Sequence, residues 1–439
     1  MCDRSNKPNV LFIMTDQQSR HMISCTGNTH LKTPALDGLA RDGIRFEKAY
    51  CSNPVCTPSR VSMFTGVMPC RLGADNNGKC EDRLNLPEEI ISNAMGNIMK
   101  RSGYDTFYGG KDHMFTALAP KNAGFDEYFP DEREALPKAC VEFIQRKREK
   151  PFCAVASFIN PHDICFAHQA KNGINSHGVL DLREKALALP LEELPPLPDN
   201  YEITQNEPTR VEANLNLKAI TPAITMRQEY DDVEWRINRW IYHRLTEQVD
   251  RLIGEILDGL KAAGHEKDTL IVFTSDHGNM DASHHLASKG LPYEESVGVP
   301  FIMKYPETIA GNQIENECFV NTGLDIIPTV CDYIGVEKPW HMLGKSLRPL
   351  AEKQNGVDVP LYTVSENHWF RMLRSKQYKY CCFSIGQEEL LVDLENDPGE
   401  QKNCALDPEY QAVLKQHREW MSEWVTLSDD ETGKDFLIR

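Results

Sequence analysis

Apolar residues fall into two kinds of run along the chain. Asn9 to Met14 (NVLFIM) is apolar at nearly every step, which predicts a strand covered on both faces, and it runs into Thr15-Asp16-Gln17. The runs FCAVASF (152–158) and TLIVFTS have the same character, and the second ends in Asp276-His277. Between them lie segments with helical spacing and helical punctuation. TPALDGLARDG is expected to form a helix with Thr33 as N-cap, Pro34 as first residue and Gly43 as stop. IRFEKAY follows as a strand, and Pro58 is expected to fix the first turn of the helix SRVSMF, stopped by Gly66. Further helices are expected over 88–102, 133–148 and 227–263, with a strand over 104–109 (YDTFYG). Strands that alternate with helices and are apolar on both faces predict an α/β domain with a mostly parallel central sheet flanked by helices.

Two regions break this rhythm. Residues 171–225 are proline-rich, show no clear period and read as a long surface excursion, which in an α/β enzyme often lies near the active site. After about residue 345 the runs LYTVSE, FRMLRS, YKYCCFS and ELLVDL predict short antiparallel strands, followed by a terminal helix over 408–425. The expected organisation is a catalytic α/β domain over 1–345 and a small antiparallel α+β subdomain over 346–439, packed on it.

Composition narrows the function. With 439 residues, 41% of them hydrophobic, the chain can bury a large core. A net charge of −17 argues against a nucleic-acid surface, which needs a basic face. No segment approaches the roughly 20 apolar residues of a membrane helix, so no membrane is expected. The start MCDRSNKPNV has no basic region leading into a long apolar one. The expected compartment is therefore the cytoplasm, or the periplasm if a signal precedes this sequence. Fourteen cysteines occur without a CxxC pair or a Cys/His ladder, and several sit in apolar runs, so buried free thiols are expected rather than disulfides.

Chemistry concentrates at strand ends. Open parallel sheets bind ligands at the carboxyl ends of their strands. If the strands ending in Asp16-Gln17 and Asp276-His277 are neighbours, four oxygen or nitrogen donors converge, a set suited to a hard divalent ion. Either pair alone is equally well read as strand-end capping. Cys56 follows the strand IRFEKAY and is expected just before a helix N-terminus, where backbone N–H groups favour an anion; Arg60 adds a fork of donors. A reactive thiolate, and a passive cysteine beside a capped helix, both fit that much.

Cys56-Thr57-Pro58-Ser59-Arg60 followed by Thr65-Gly66 resembles the signature of the type I, formylglycine-dependent sulfatases of the alkaline-phosphatase superfamily. PNVLFIMTDQ, TPALDGLARDGIRF, GGKDHMF, NPHD, DHGNMDASHHLASKGLPYEESVGVPFI and ELLVDLENDPGEQKN resemble further family segments, in order, along most of the chain. The resemblance implies an alkaline-phosphatase-like fold and a sulfuric ester hydrolase. It implies that Cys56 is oxidised to formylglycine by a formylglycine-generating or anaerobic sulfatase-maturing enzyme. Asp16, Gln17, Asp276, His277 and the modified Cys56 would bind one divalent metal, calcium first, with magnesium or manganese as alternatives. Arg60, Lys111, His113, His162 and Lys289 would surround the transferred sulfate of a small anionic substrate, with His284 and Asp163 as further substrate contacts. His162 or Lys289 would protonate the leaving oxygen and His113 would take the proton in the elimination. One hydroxyl of hydrated formylglycine would attack sulfur, and the second would expel sulfate without water attacking a hindered ester.

This sequence departs from the family pattern at two points, and a third residue stands out chemically. His277 is an unusual partner for calcium, since imidazole suits softer ions, although the pair Asp276-His277 occurs within the family and in its phosphonate- and phosphodiester-cleaving relatives. Gly298 stands where many members carry arginine, and Asp112 replaces a common aromatic residue. The leading substrate is a sulfated sugar, followed by choline sulfate, then a phosphonate monoester or phosphodiester. A non-catalytic binding protein is disfavoured by the complete set of metal, cysteine and cation positions.

Overall fold

The computed structural model describes residues 7–77, 86–215, 223–384 and 386–438. Among the described residues the strands are β1 Asn9–Asp16, β2 Ile44–Phe46, β3 Ala49–Tyr50, β4 Asp105–Gly110, β5 Glu127–Phe129, β6 Phe152–Pro161 and β7 Thr269–Ser275, then β8 Phe301–Lys304, β9 Gln313–Glu315, β10 Val320–Asn321, β11 Tyr362–Glu366, β12 Phe370–Ser375, β13 Tyr378–Phe383 and β14 Glu389–Asp393. Eight of them form one sheet in the order β5-β4-β6-β1-β7-β8-β2-β9. All are parallel except β8, which runs against both its neighbours.

The two faces of β1 explain why its sequence does not alternate. Val10, Phe12 and Met14 pack toward the side of helices Cys56–Thr65 and Thr322–Tyr333, sharing a core with Val61, Phe64 and Ile326. Leu11 and Ile13 pack toward the other side, with Leu36, Phe143 and Ile253 from helices Pro34–Arg41, Leu136–Ile144 and Asp232–Ala262. Every position of the strand is therefore buried. The antiparallel sheet β11-β12-β13-β14 behaves likewise. Cys381 joins the main core, whereas Cys382 faces Leu414 and Met421 of the terminal helix Gln411–Leu427. The cysteines among the described residues are free.

Several elements differ from expectation, each for a local reason. The helix expected over 88–102 is two helices, Glu88–Ser92 and Met95–Arg101. The Asn97 N–H donates to the Ala123 carbonyl at 2.8 Å, so the second helix is anchored from outside. The long helix begins at Asp232 rather than 227, because Asp231 caps it by accepting from the Glu234 N–H at 2.8 Å. IRFEKAY divides: β2 stays in the main sheet and β3 pairs with β10. Helix Leu136–Ile144 is shorter than 133–148, with a 3₁₀ turn before it. The aperiodic stretch 171–225 contains helix Val179–Leu187, which packs on the long helix. Thr33 occupies the N-cap position, but its hydroxyl accepts from the Ser24 N–H instead.

The strand β4 ends in a close approach. Gly110 has φ +95°, and a Cβ there would lie 1.9 Å from the Ser157 carbonyl oxygen of β6. Gly110→Ala is expected to cost about 1–3 kcal/mol through strain and displaced backbone, read as a lower urea midpoint.

Candidate active site

Four adjacent strands deliver their carboxyl ends to one place. Thr15 of β1 pairs with Ser275 of β7, so Asp16 and Asp276 emerge side by side. Asp16 also lies opposite Pro161 of β6, whose next residue is His162. Gly110 of β4 pairs with Ser157 of β6, and Lys111 follows it. The helix Cys56–Thr65 points its first turn at the same point. Cys56 is the first residue of that helix and Val55 its cap, so the helix starts two residues earlier than Pro58 suggested. Asn77 Oδ1 accepts from the free Thr57 N–H at 2.9 Å.

Arg60 organises the centre from full burial. Its Nε donates to Asp276 Oδ2 at 2.8 Å and its Nη2 to Asp16 Oδ2 at 2.9 Å. Its Nη1 holds the Lys111 carbonyl and Ser157 Oγ, each at 2.8 Å. The Ser59 hydroxyl donates to the Asp276 carbonyl at 2.5 Å. With both Oδ2 atoms engaged, the Oδ1 atoms face His277 Nε2, at 3.8 Å from Asp16 and 3.5 Å from Asp276. Lysine cannot span four partners. Arg60→Lys is therefore expected to lose about 1.5–3 kcal/mol for each charged hydrogen bond not remade, measured by urea denaturation of the protein with Cys56 unmodified.

The Cys56 sulfur is buried and ringed. Lys289 Nζ lies 3.0 Å from it, His277 Nε2 3.3 Å, Asp16 Oδ1 3.7 Å and Lys111 Nζ 3.9 Å. Burial and the Asp16 charge both raise its pKa, but Lys111, Lys289 and His277 outweigh them and hold the thiol well below an ordinary cysteine. Asp16 is held well below the usual carboxylate range: burial opposes ionisation, but Lys111, His162, Lys289 and Arg60 prevail. Burial, with Lys289 beside it, pushes His162 down to about 3, so that imidazole is neutral. Lys289 is raised despite burial by Cys56 and Asp16, and keeps its proton.

Asp16, Cys56, Asp276 and His277 present ligand atoms within 4.8 Å of one another. The donor set fits a divalent cation. His277 Nδ1 lies 2.9 Å from the Gly278 carbonyl, which fixes Nδ1 as the protonated nitrogen and leaves the Nε2 lone pair facing the cluster. Gln17 stands beside the four, in the left-handed region at φ 69°. Its Nε2 donates to Asn279 Oδ1 at 3.0 Å, and its Oε1 accepts from the Cys165 thiol at 3.2 Å.

Three expected site residues lie apart. His113 is exposed and lines a shallow pocket with Lys111, Asp112, Tyr128 and Asp131, and it makes no contact with the Cys56 sulfur. The Asp163 carboxylate is turned onto Arg133, which holds both of its oxygens. His284 is buried against Tyr293 and lies 2.9 Å from Thr204 Oγ1, in a separate polar group with Glu295 and Glu400. Conversely, Asn279, Cys165, Ser157 and Asn238 were not singled out from the sequence. Asn279 had a weak signal, lying three residues beyond Asp276 in DHGN.

A recess of about 510 Å³ opens beside the cluster, lined by Gln17, His162, Cys165, Asn279 and Lys289. A larger cavity of about 830 Å³ lies between helix Thr322–Tyr333 and β11. Its lining is mostly apolar and includes none of the residues around Cys56, so size does not mark the reactive site here.

A family model described as Sulfatase matches residues 8–336, and a second, N-sulphoglucosamine sulphohydrolase, C-terminal, matches residues 282–426. The chain belongs to the sulfatase family and is a sulfuric ester hydrolase. It is 28% identical to a Delta 4,5-hexuronate-2-O-sulfatase of Bacteroides thetaiotaomicron, over 97% of this chain and 90% of that protein. An N-acetylglucosamine-6-O-sulfatase of the same organism is 23% identical, over 96% of this chain and 87% of that one. The solved structure of a 2-O GAG sulfatase superposes with a TM-score of 0.84 at 27% identity, covering 97% of this chain and 93% of that one. Membership implies a metal and a formylglycine, and the cluster around Cys56 has the donors for the first and the cysteine for the second. No helix among the described residues is long and apolar enough to cross a membrane.

Proposed function

We propose that the protein hydrolyses the sulfate ester of a sulfated carbohydrate, using Cys56 after its oxidation to formylglycine by a formylglycine-generating or anaerobic sulfatase-maturing enzyme. One observation carries this reading. A fully buried sulfur has Lys289 at 3.0 Å and Lys111 at 3.9 Å, at the mouth of a helix. Such a setting is built for an anion. As its hydrate, formylglycine supplies one hydroxyl for attack on sulfur and a second whose deprotonation releases sulfate.

Asp16, Asp276, His277 and Cys56, with Gln17 alongside, would hold one divalent ion, Ca²⁺ ahead of Mg²⁺ or Mn²⁺. Bound there, the ion supplies positive charge opposite the sulfuryl oxygens. Arg60 keeps the two carboxylates in place. Lys111 and Lys289 neutralise the transferred group from two sides, in a site shielded from water. Lys289, which keeps its proton and faces the recess, donates to the leaving oxygen. His162, neutral, hydrogen-bonds the substrate beside it. A carbohydrate leaving group is supported by the relatives, whose names specify hexuronate and N-acetylglucosamine sulfates.

The test is mass spectrometry of the intact Cys56 peptide after co-expression with a maturation enzyme. The expected peptide carries an aldehyde at position 56. Full sulfatase turnover by protein whose Cys56 remains a thiol would contradict the proposal.

A further inference from the structure

Three residues that line the recess beside Lys289 each carry a buried polar atom without a hydrogen-bond partner among the described residues: His162 Nδ1, His168 Nδ1 and Asn238 Oδ1. Asn238 is the most telling. It stands on helix Asp232–Ala262, is only 3% exposed, and lines the recess. A buried amide oxygen can only accept, so its missing partner must be a donor. Leaving it unpaired is costly, and buried orphans of this kind call for a water or a ligand group. His168, on the short helix Ala167–Lys171, adds a second such atom along the same wall.

The lining suits hydroxyls better than other leaving groups. Among the described residues it contains no carboxylate and, beside the two histidines, one aromatic side chain, Phe166. A quaternary ammonium such as that of choline is recognised by several aromatic faces, and this recess does not offer them. An aryl group would leave Asn238 Oδ1 unpaired. A ring bearing several hydroxyl or amide N–H donors satisfies it. The volume of about 510 Å³ is ample for one sugar ring beyond the transferred sulfate.

Resting on the sulfatase reading above, we infer that Asn238 and His168 are specificity-determining residues, and that they bind donor groups of the sugar ring carrying the sulfate. They act on the leaving group and leave the sulfuryl-transfer centre to the groups around Cys56. Sites built to hydrogen-bond a substrate hydroxyl discriminate strongly against analogues that lack it.

The experiment uses full-length protein matured by co-expression. Hydrolysis of 4-nitrophenyl sulfate is measured first, because it needs the reactive centre but presents no ring hydroxyls. A panel of O-sulfated hexosamines and hexuronates follows, and the best sugar is carried forward. For Asn238→Leu and His168→Phe, the ratio of kcat/KM for that sugar to kcat/KM for the aryl sulfate is then compared with wild type. The expected ratio falls by about 10- to 100-fold, the scale of one or two hydrogen bonds to an unpaired buried group, and most of the loss is in KM. Asn238→Leu is expected to melt no lower than wild type, because it removes a buried orphan, which separates recognition from misfolding. An unchanged ratio in both variants overturns the inference, as does aryl sulfate turnover with no sugar in the panel accepted. Failure of the matured wild type on every sulfate ester, aryl included, instead rejects the proposed function itself.

Discussion

Cys56→Ser, taken through the same maturation conditions as wild type, is expected to lose multiple turnover of any sulfate ester by at least about 10³-fold, the scale on which losing a nucleophile acts. The serine hydroxyl would stand in the same ring of Lys289, His277 and Lys111 that surrounds the sulfur. Attack on sulfur therefore remains available to it. What it lacks is a second hydroxyl on the same carbon, so the sulfated side chain has no elimination route. The variant should stall after one event, with sulfate retained on the protein at position 56. Time-resolved product release and intact mass on one sample check both halves. Steady turnover by Cys56→Ser at the wild-type rate would remove Cys56 from the reaction.

Asp276→Ala is expected to empty the metal site. Asp276 Oδ1 lies 3.5 Å from His277 Nε2, and Oδ2 anchors Arg60 Nε at 2.8 Å. Removing the carboxylate thus deletes one proposed ligand and frees the guanidinium that holds Asp16. Losing only an outer partner of a ligand typically costs 10- to 100-fold in metal affinity, so the loss here should reach at least about 100-fold. Breaking a buried charge pair also destabilises by about 3–5 kcal/mol, because Arg60 keeps its charge in a dry site. Elemental analysis of the purified variant should find metal well below wild-type occupancy, together with a lower urea midpoint. Full occupancy in Asp276→Ala would exclude this carboxylate from the metal shell.

The strand ends were readable because their chemistry is local. Asp16-Gln17 and Asp276-His277 each terminate an uninterrupted apolar run, and β1 and β7 are neighbours in register. Lys111 and His162 were legible only through the resemblance, although they too follow strand ends, those of β4 and β6. The parallel sheet was legible because strands buried on both faces cannot alternate. Features set by distant contacts were not legible. The break between helices Glu88–Ser92 and Met95–Arg101 depends on the backbone near Ala123. His284 and Asp163 share the motifs of the site, yet each is drawn away by a partner distant in sequence, Thr204 for one and Arg133 for the other. The glycine at 298 has a structural reason that its own segment does not reveal. A Cβ there would lie 2.2 Å from Arg20 Nη2, so the space beside it belongs to the Arg20 guanidinium, which ion-pairs with Glu294. Asn238 sits mid-helix with no motif around it, and only the recess gives it meaning.

Sulfate and phosphate esters are alike in shape, and Arg60, Lys111, Lys289 and a divalent ion could stabilise transfer of either group. The exit step separates them, because sulfate is the more weakly basic leaving group and departs readily from a geminal diol. The most direct measurement is kcat/KM for an aryl sulfate, the matching phosphate monoester and the matching phosphodiester, on one matured preparation. The predicted result is a clear preference for the sulfate. A clear preference for the phosphodiester would contradict the account.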